Sequence, residues 1–179
     1  MNDDVSRRGL STSDANNIDV SAPQGGRSIA RRLARRVILI PIIGVLAMIT
    51  ISMTATQPAD IGFRAGRLAE LPKSPNCVST QTSQADKKMD PIPMTASLAQ
   101  TIDKIKSAAG EMPRSKLVRE ESNYLHFEFT SLIFRFVDDV EFLIDEQNSL
   151  IHFRSASRVG HSDLGVNRKR MKQFCEKIK

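Results

Sequence analysis

Tryptophan is missing from this 179-residue sequence, and tyrosine occurs once. Aromatic residues make up only 5% of the chain, and they are not interleaved with basic ones. That excludes the stacking platform of a single-stranded nucleic-acid binder, so no nucleic-acid partner is expected. Histidine is scarce too. His126, His152 and His161 do not form a ligand spacing such as H-x-x-x-H, and no calcium-loop pattern surrounds Asp138, Asp139 or Asp163. No metal and no cofactor are expected. His126 and His152 sit among strand residues on polar faces, where surface histidines are common. The chain also lacks any charged residue between positions 37 and 55.

What is present is uneven. The formal net charge is +6. Residues 1–36 contribute +3, from seven Arg against four Asp; residues 56–179 contribute the other +3, from 19 Lys and Arg against 16 Asp and Glu. Residues 1–36 read as a disordered basic tail. Arg27, Arg31, Arg32, Arg35 and Arg36 then lead directly into the charge-free run VILIPIIGVLAMITISMTA. As a helix those residues would span roughly 28 Å, close to a bilayer core. Pro41 lies near the start, where a transmembrane helix tolerates it. The basic flank predicts a single-pass signal anchor with a cytoplasmic N-terminus and the following domain outside. A cleaved signal peptide and a buried core helix are the competing readings. Ser74-Pro75-Asn76 before Cys77 is not a lipobox.

Residues 56–70 read as a linker, within a stretch to residue 94 that carries Pro58, Pro72, Pro75, Pro91 and Pro93. Residues 71–179 read as one α+β domain. A helix is expected from about Thr95 to Ala109, with Leu98, Ile102, Ile105 and Ala109 on one face. The period then changes to two. Leu117-Val118 marks a short strand. Leu125, Phe127 and Phe129 alternate with His126 and Glu128, and Leu132, Phe134 and Phe136 extend the alternation. Val140, Phe142 and Ile144 form another strand face, and Leu150 to Ser155 the last strand. A closing helix is expected from about Asp163 to Lys177, with Met171, Phe174, Cys175 and Ile178 as its stripe. Short connections favour an antiparallel sheet of four to five strands, with two helices packed on one face and one N-terminal transmembrane helix ahead of it.

Three motifs in order, LPKSPNCVSTQ, RFVDDVEFLID and IHFRSASRVGHSDLGVNRKR, resemble the bacterial and chloroplast family known as domain of unknown function 1499. The resemblance runs from about Leu71 to Lys177. It implies a small membrane-tethered or exported domain, placed on the periplasmic side of a bacterial inner membrane by the charge asymmetry. It implies no reaction. Family-like positions are Asn76, Cys77, Ser79, Asp138, Asp139, Arg154, Ser155, Ser157, Arg158, Gly160, Asp163, Gly165, Asn167 and Arg168. Thr80 and Thr82 depart, standing where the family more often has a smaller residue.

The densest polar cluster lies where the last strand turns into the last helix: Arg154, Ser155, Ser157, Arg158, Asp163, Asn167 and Arg168. The adjacent carboxylates Asp138 and Asp139 repel unless compensated, and Arg154 and Arg158 are their natural partners. One reading is a structural ion-pair network. A sharper one is a site where Arg154, Arg158 and the free N–H groups of the last helix hold a small anion or an envelope protein partner. A hydrolase or transferase using Asp138, Asp139 or Cys77, and a purely structural or assembly domain, are the alternatives. Cys77 and Cys175, both expected outside, are either a disulfide or two structural thiols.

Overall fold

The computed structural model describes residues 25–178. The expected tail lies, through residue 24, outside the described residues. The chain divides into two compact units, one through Ile40 and one from Pro41. Helix α1, Gly25–Thr54, carries Pro41 within it. Among the described residues no helix is long and apolar enough to cross a membrane. The charge-free run starts at Val37, at the margin of the described side chains.

Beyond α1, the second unit holds a two-stranded ribbon, β1 (Phe63–Arg64) and β2 (Arg67–Leu68), and a larger antiparallel sheet. Its strands are β3 (Cys77–Ser79), β4 (Ile92–Pro93), β5 (Ser115–Glu120), β6 (Tyr124–Thr130), β7 (Val137–Asp145) and β8 (Leu150–Ser157). The order is β3-β8-β7-β6-β5, with β4 sharing the outer edge of β8. Six strands therefore replace the four or five expected. The additions are β3 and β4, each too short to carry a period. Helices α2 (Leu98–Gly110) and α3 (Val166–Ile178) close one face. The α+β class and the two helices on one face stand as expected.

The core lies between that face and the helices. Phe127, Phe129, Val140, Phe142, Ile144, Ile151 and Phe153 meet Ile105 from α2 and Met171, Phe174 and Ile178 from α3. The Phe142 ring meets Phe174 edge-on at 4.9 Å and Phe127 at 6.2 Å, the arrangement aromatic quadrupoles prefer.

Element ends differ from the periodicity for local reasons. Ser97, not Thr95, caps α2: its hydroxyl accepts from the N–H of Gln100, whose side chain returns to the Ser97 N–H. Helix α3 begins at Val166 rather than Asp163, because Leu164 (φ 54°) and Gly165 (φ 79°) are left-handed and cannot join a right-handed helix. Residues 132–136 are a hairpin tip, not a strand extension. Arg135 has φ 58°, and the Ser131 N–H donates across the turn to the Phe136 carbonyl at 2.8 Å.

The second face of the sheet carries His126 and His152, which were read from the sequence as surface histidines. Its centre is covered instead, with His126 buried and His152 partly exposed. Residues about Asp60 to Leu71 lie across it: Phe63 packs on Tyr124 at 5.3 Å, and Leu68 joins Tyr124 and Leu143 in a small apolar cluster. Strand β7 is consequently buried on both faces from Asp138 to Ile144.

Candidate functional site

Register decides which polar residues meet. The turn at residues 146–149 sets Asp145 opposite Leu150, and counting back sets Glu141 opposite Arg154, Asp139 opposite Ala156 and Asp138 opposite Ser157. Successive residues of a strand point to opposite faces. The cluster that is continuous in sequence is therefore divided by the sheet into two.

Asn167 organises the helix-side cluster and is fully buried. Its amide nitrogen donates to the Asn76 carbonyl at 3.0 Å, to Ser157 Oγ at 2.9 Å and to Asp163 Oδ2 at 2.9 Å, and its oxygen accepts from Ser155 Oγ. Arg170, not Arg154, compensates Asp138: Nη2 donates to Asp138 Oδ2 at 2.6 Å, while the guanidinium lies 4.7 Å from the centre of the Phe129 ring. The helix N-terminus expected to hold an anion is already occupied. Asp163 accepts from the N–H of Gly165 at 3.0 Å and of Asn167 at 2.7 Å. Arg168 stands apart from the site, donating to the Asp86 carbonyl at 2.6 Å.

The second face carries a buried ionic network. Glu141, 0% exposed, accepts at Oε1 from Tyr124 Oη at 2.8 Å and from the Gly62 N–H at 2.7 Å. Its Oε2 accepts from Arg154 Nη1 at 2.8 Å. Asp139, 1% exposed, accepts at Oδ1 from His126 Nε2 at 2.8 Å and from Arg158 Nη2 at 2.7 Å, and at Oδ2 from Arg158 Nε at 2.9 Å. Arg158 also pairs with Glu128. Burial alone would raise the Asp139 carboxyl, but the hydrogen bonds from Arg158 and His126 outweigh it and hold the group below the usual carboxylate range. Burial, and then Glu141, push the Tyr124 phenol up. His126 is thus a wholly buried partner of Asp139, not a surface histidine.

Two buried atoms find no hydrogen-bond partner among the described residues: His126 Nδ1 and Arg154 Nε. Arg154 is 2% exposed, and a polar group left unpaired at such a position is uncommon. It lines a cavity of about 370 Å³ together with Asn76, Asp139, Ser157, Arg158 and Gly160. Asp60 and Glu70 also line it. The remaining Arg154 nitrogen, Nη2, faces Asp60 only loosely, at 3.7 Å, and the Asp60 side chain is 55% exposed.

Cys77 and Cys175 are not bridged. Cys77 is on the network side with Leu71 and Ala156, whereas Cys175 packs against the helix-side core. The sheet stands between them. The Cys77 thiol donates toward the Ser74 carbonyl at 3.2 Å, and burial pushes it up against the opposing pull of Lys87 and Arg154. No cluster of metal-ligating side chains occurs among the described residues.

Tyr124, His126, Glu128, Glu141 and Arg170 were not read from the sequence as site residues. Counting back from the 146–149 turn would have found Glu141 opposite Arg154. No comparable signal marked the others.

This is a small α+β domain, an antiparallel sheet with helices on one face and a buried ionic network on the other. The chain belongs to a family described as protein of unknown function (DUF1499), whose sequence model matches residues 67–178. Among curated proteins none matches the chain.

Proposed function

We propose that the chain is an inner-membrane protein, anchored by residues 37–55, whose periplasmic domain binds a small polar ligand through an anionic group beside Arg154. The observation that carries this is Arg154 itself, a buried arginine with one unpartnered nitrogen that lines the wall of a cavity of ligand-binding size and meets Asp60 only loosely at Nη2. Three motifs distant in sequence converge on that wall: Asn76 from the first, Asp139 from the second, and Arg154, Ser157, Arg158 and Gly160 from the third. Asp60 is exposed and loosely held, so it is the carboxylate that a ligand's own anionic group would replace. A carboxylate or phosphate there would gain charge-assisted hydrogen bonds from Arg154.

A structural reading is favoured by Arg158, whose guanidinium is engaged by Asp139 and Glu128 and offers little to a ligand. The hydrolase or transferase reading has less support. Asp139 accepts three hydrogen bonds from His126 and Arg158, Asp138 is held by Arg170, and the Cys77 thiol is pushed away from its nucleophilic form.

The test uses the full chain in detergent, titrated calorimetrically with a panel of small carboxylates and phosphates. Asp60→Asn removes a competing negative charge without touching the buried network. It should tighten binding on the order of fivefold, or ~1 kcal/mol. If no anion in the panel binds either protein, the site is structural.

A further inference from the structure

We propose that the hairpin tip between β6 and β7 enters the lipid headgroup region beside the end of α1, giving the domain a second membrane contact. This rests on the anchor reading above.

The tip is apolar in a place where burial does not explain it. Leu132 is 69% exposed, Ile133 62% and Phe134 36%. Consecutive exposed residues of this size on a soluble surface mark a contact site rather than chance. The tip is also well formed. Phe134 stacks on Phe136 at 5.5 Å, and the Phe136 N–H donates to Ser131 Oγ at 2.8 Å. These side chains are therefore presented by a built turn.

What covers the tip is indicated by its neighbour. Ser52 of α1 donates its hydroxyl to the Arg135 carbonyl and is only 1% exposed. The α1 residues around it leave Leu46, Ile51 and Met53 exposed at 57%, 55% and 76%. The tip thus continues an apolar surface already assigned to lipid. Ser52 also fixes the depth. It lies three residues before Ala55, where the charge-free run ends, or ~5 Å along a helix. That is the interfacial layer, where apolar side chains insert and cations meet lipid phosphates. Arg135 on the tip and Arg114 beside it, whose Nε donates to the Thr130 carbonyl at 2.8 Å, are both exposed and suit anionic headgroups.

The chain has no tryptophan, so a single introduced indole reports one position. The experiment places Phe134→Trp, Ile133→Trp and Leu46→Trp separately in the full chain. Each is reconstituted into phosphatidylcholine–phosphatidylglycerol vesicles with and without brominated acyl chains. The expected result is a blue-shifted emission that loses intensity on bromination, for both tip variants and for Leu46→Trp. Ile133→Trp stands in where Phe134→Trp disturbs the aromatic stack. Quenching at Leu46→Trp with unquenched, water-like emission at both tip positions overturns the proposal and leaves the anchor intact. Blue-shifted but unquenched tip emission means that protein, such as a second copy, covers the tip, and also overturns it. No quenching at any position removes the anchor reading, and this inference falls with it.

Discussion

Asp138 and Asp139 are neighbours in the chain, yet they answer to different arginines on opposite faces of the sheet. Arg170 holds Asp138 from α3, and Arg158 holds Asp139 from the far side. Adjacent carboxylates read from sequence are a repelling pair. Here the strand's two-residue period separates them and gives each its own cation.

The two carboxylates should therefore act independently. Asp139→Asn breaks a buried pair and should cost about 3 kcal/mol of stability; Asp138→Asn, closer to solvent, should cost about 2 kcal/mol. The double variant should lose the sum to within about 0.5 kcal/mol, because the two carboxylates point to opposite faces and share no partner. Reversible chemical denaturation followed by circular dichroism measures all three. A double variant markedly less stable than that sum would show that the carboxylates do repel each other, because each single substitution would already have relieved the repulsion.

Cys77 should be inert in the folded protein. Its thiol is buried and pushed up, so little thiolate exists at neutral pH. Maleimide should label it only on denaturation, and non-reducing peptide maps of the protein as isolated from cells should contain no Cys77–Cys175 peptide. Recovery of that linked peptide would mean that the sheet does not separate the two residues.

His152 should make the domain less stable in mild acid. Burial lowers its imidazole, with Arg67 adding to the effect and Asp145 opposing it. A lowered folded value means that the unfolded chain takes up the proton first. Stability from this group is thus complete above the unfolded value of about 6.5, falls as pH drops below it, and levels off below the folded value. Denaturation midpoints measured from about pH 7.5 down to pH 5 should fall less steeply for His152→Gln than for the parent. Identical slopes would remove His152 as the cause.

The helix-side half of the fold was legible because its signal is periodic and local. Phe127, Phe129, Phe142 and Phe153 alternate, and Met171, Phe174 and Ile178 recur at helical spacing; all are core residues. The opposite face was misread because alternation records only that a residue is polar. Glu141 and His126 look the same in sequence whether they face water or a buried guanidinium. What decides between those is the cover over Tyr124 and Glu141, and it comes from Gly62, Phe63 and Leu68, in a segment without a period. The candidate site suffered likewise. The run from Arg154 to Asn167 is continuous on paper, but the sheet passes through it, and the Asp163 carboxylate fills the helix terminus that an anion would have used.

Among the described residues, strand β5 leaves one border of the sheet without a partner strand, and its register slips between Leu117 and Arg119. Under the anchor proposed above, copies would meet in one membrane plane at high local concentration and in similar orientation, conditions that favour sheet-to-sheet polymerisation. Pairing of that kind needs two straight borders brought flush. The extra residue at Val118 bends this one, and the charges of Lys116, Arg119 and Glu120 keep it hydrated. The same irregularity that interrupts one hairpin's ladder thus guards a crowded surface against aggregation.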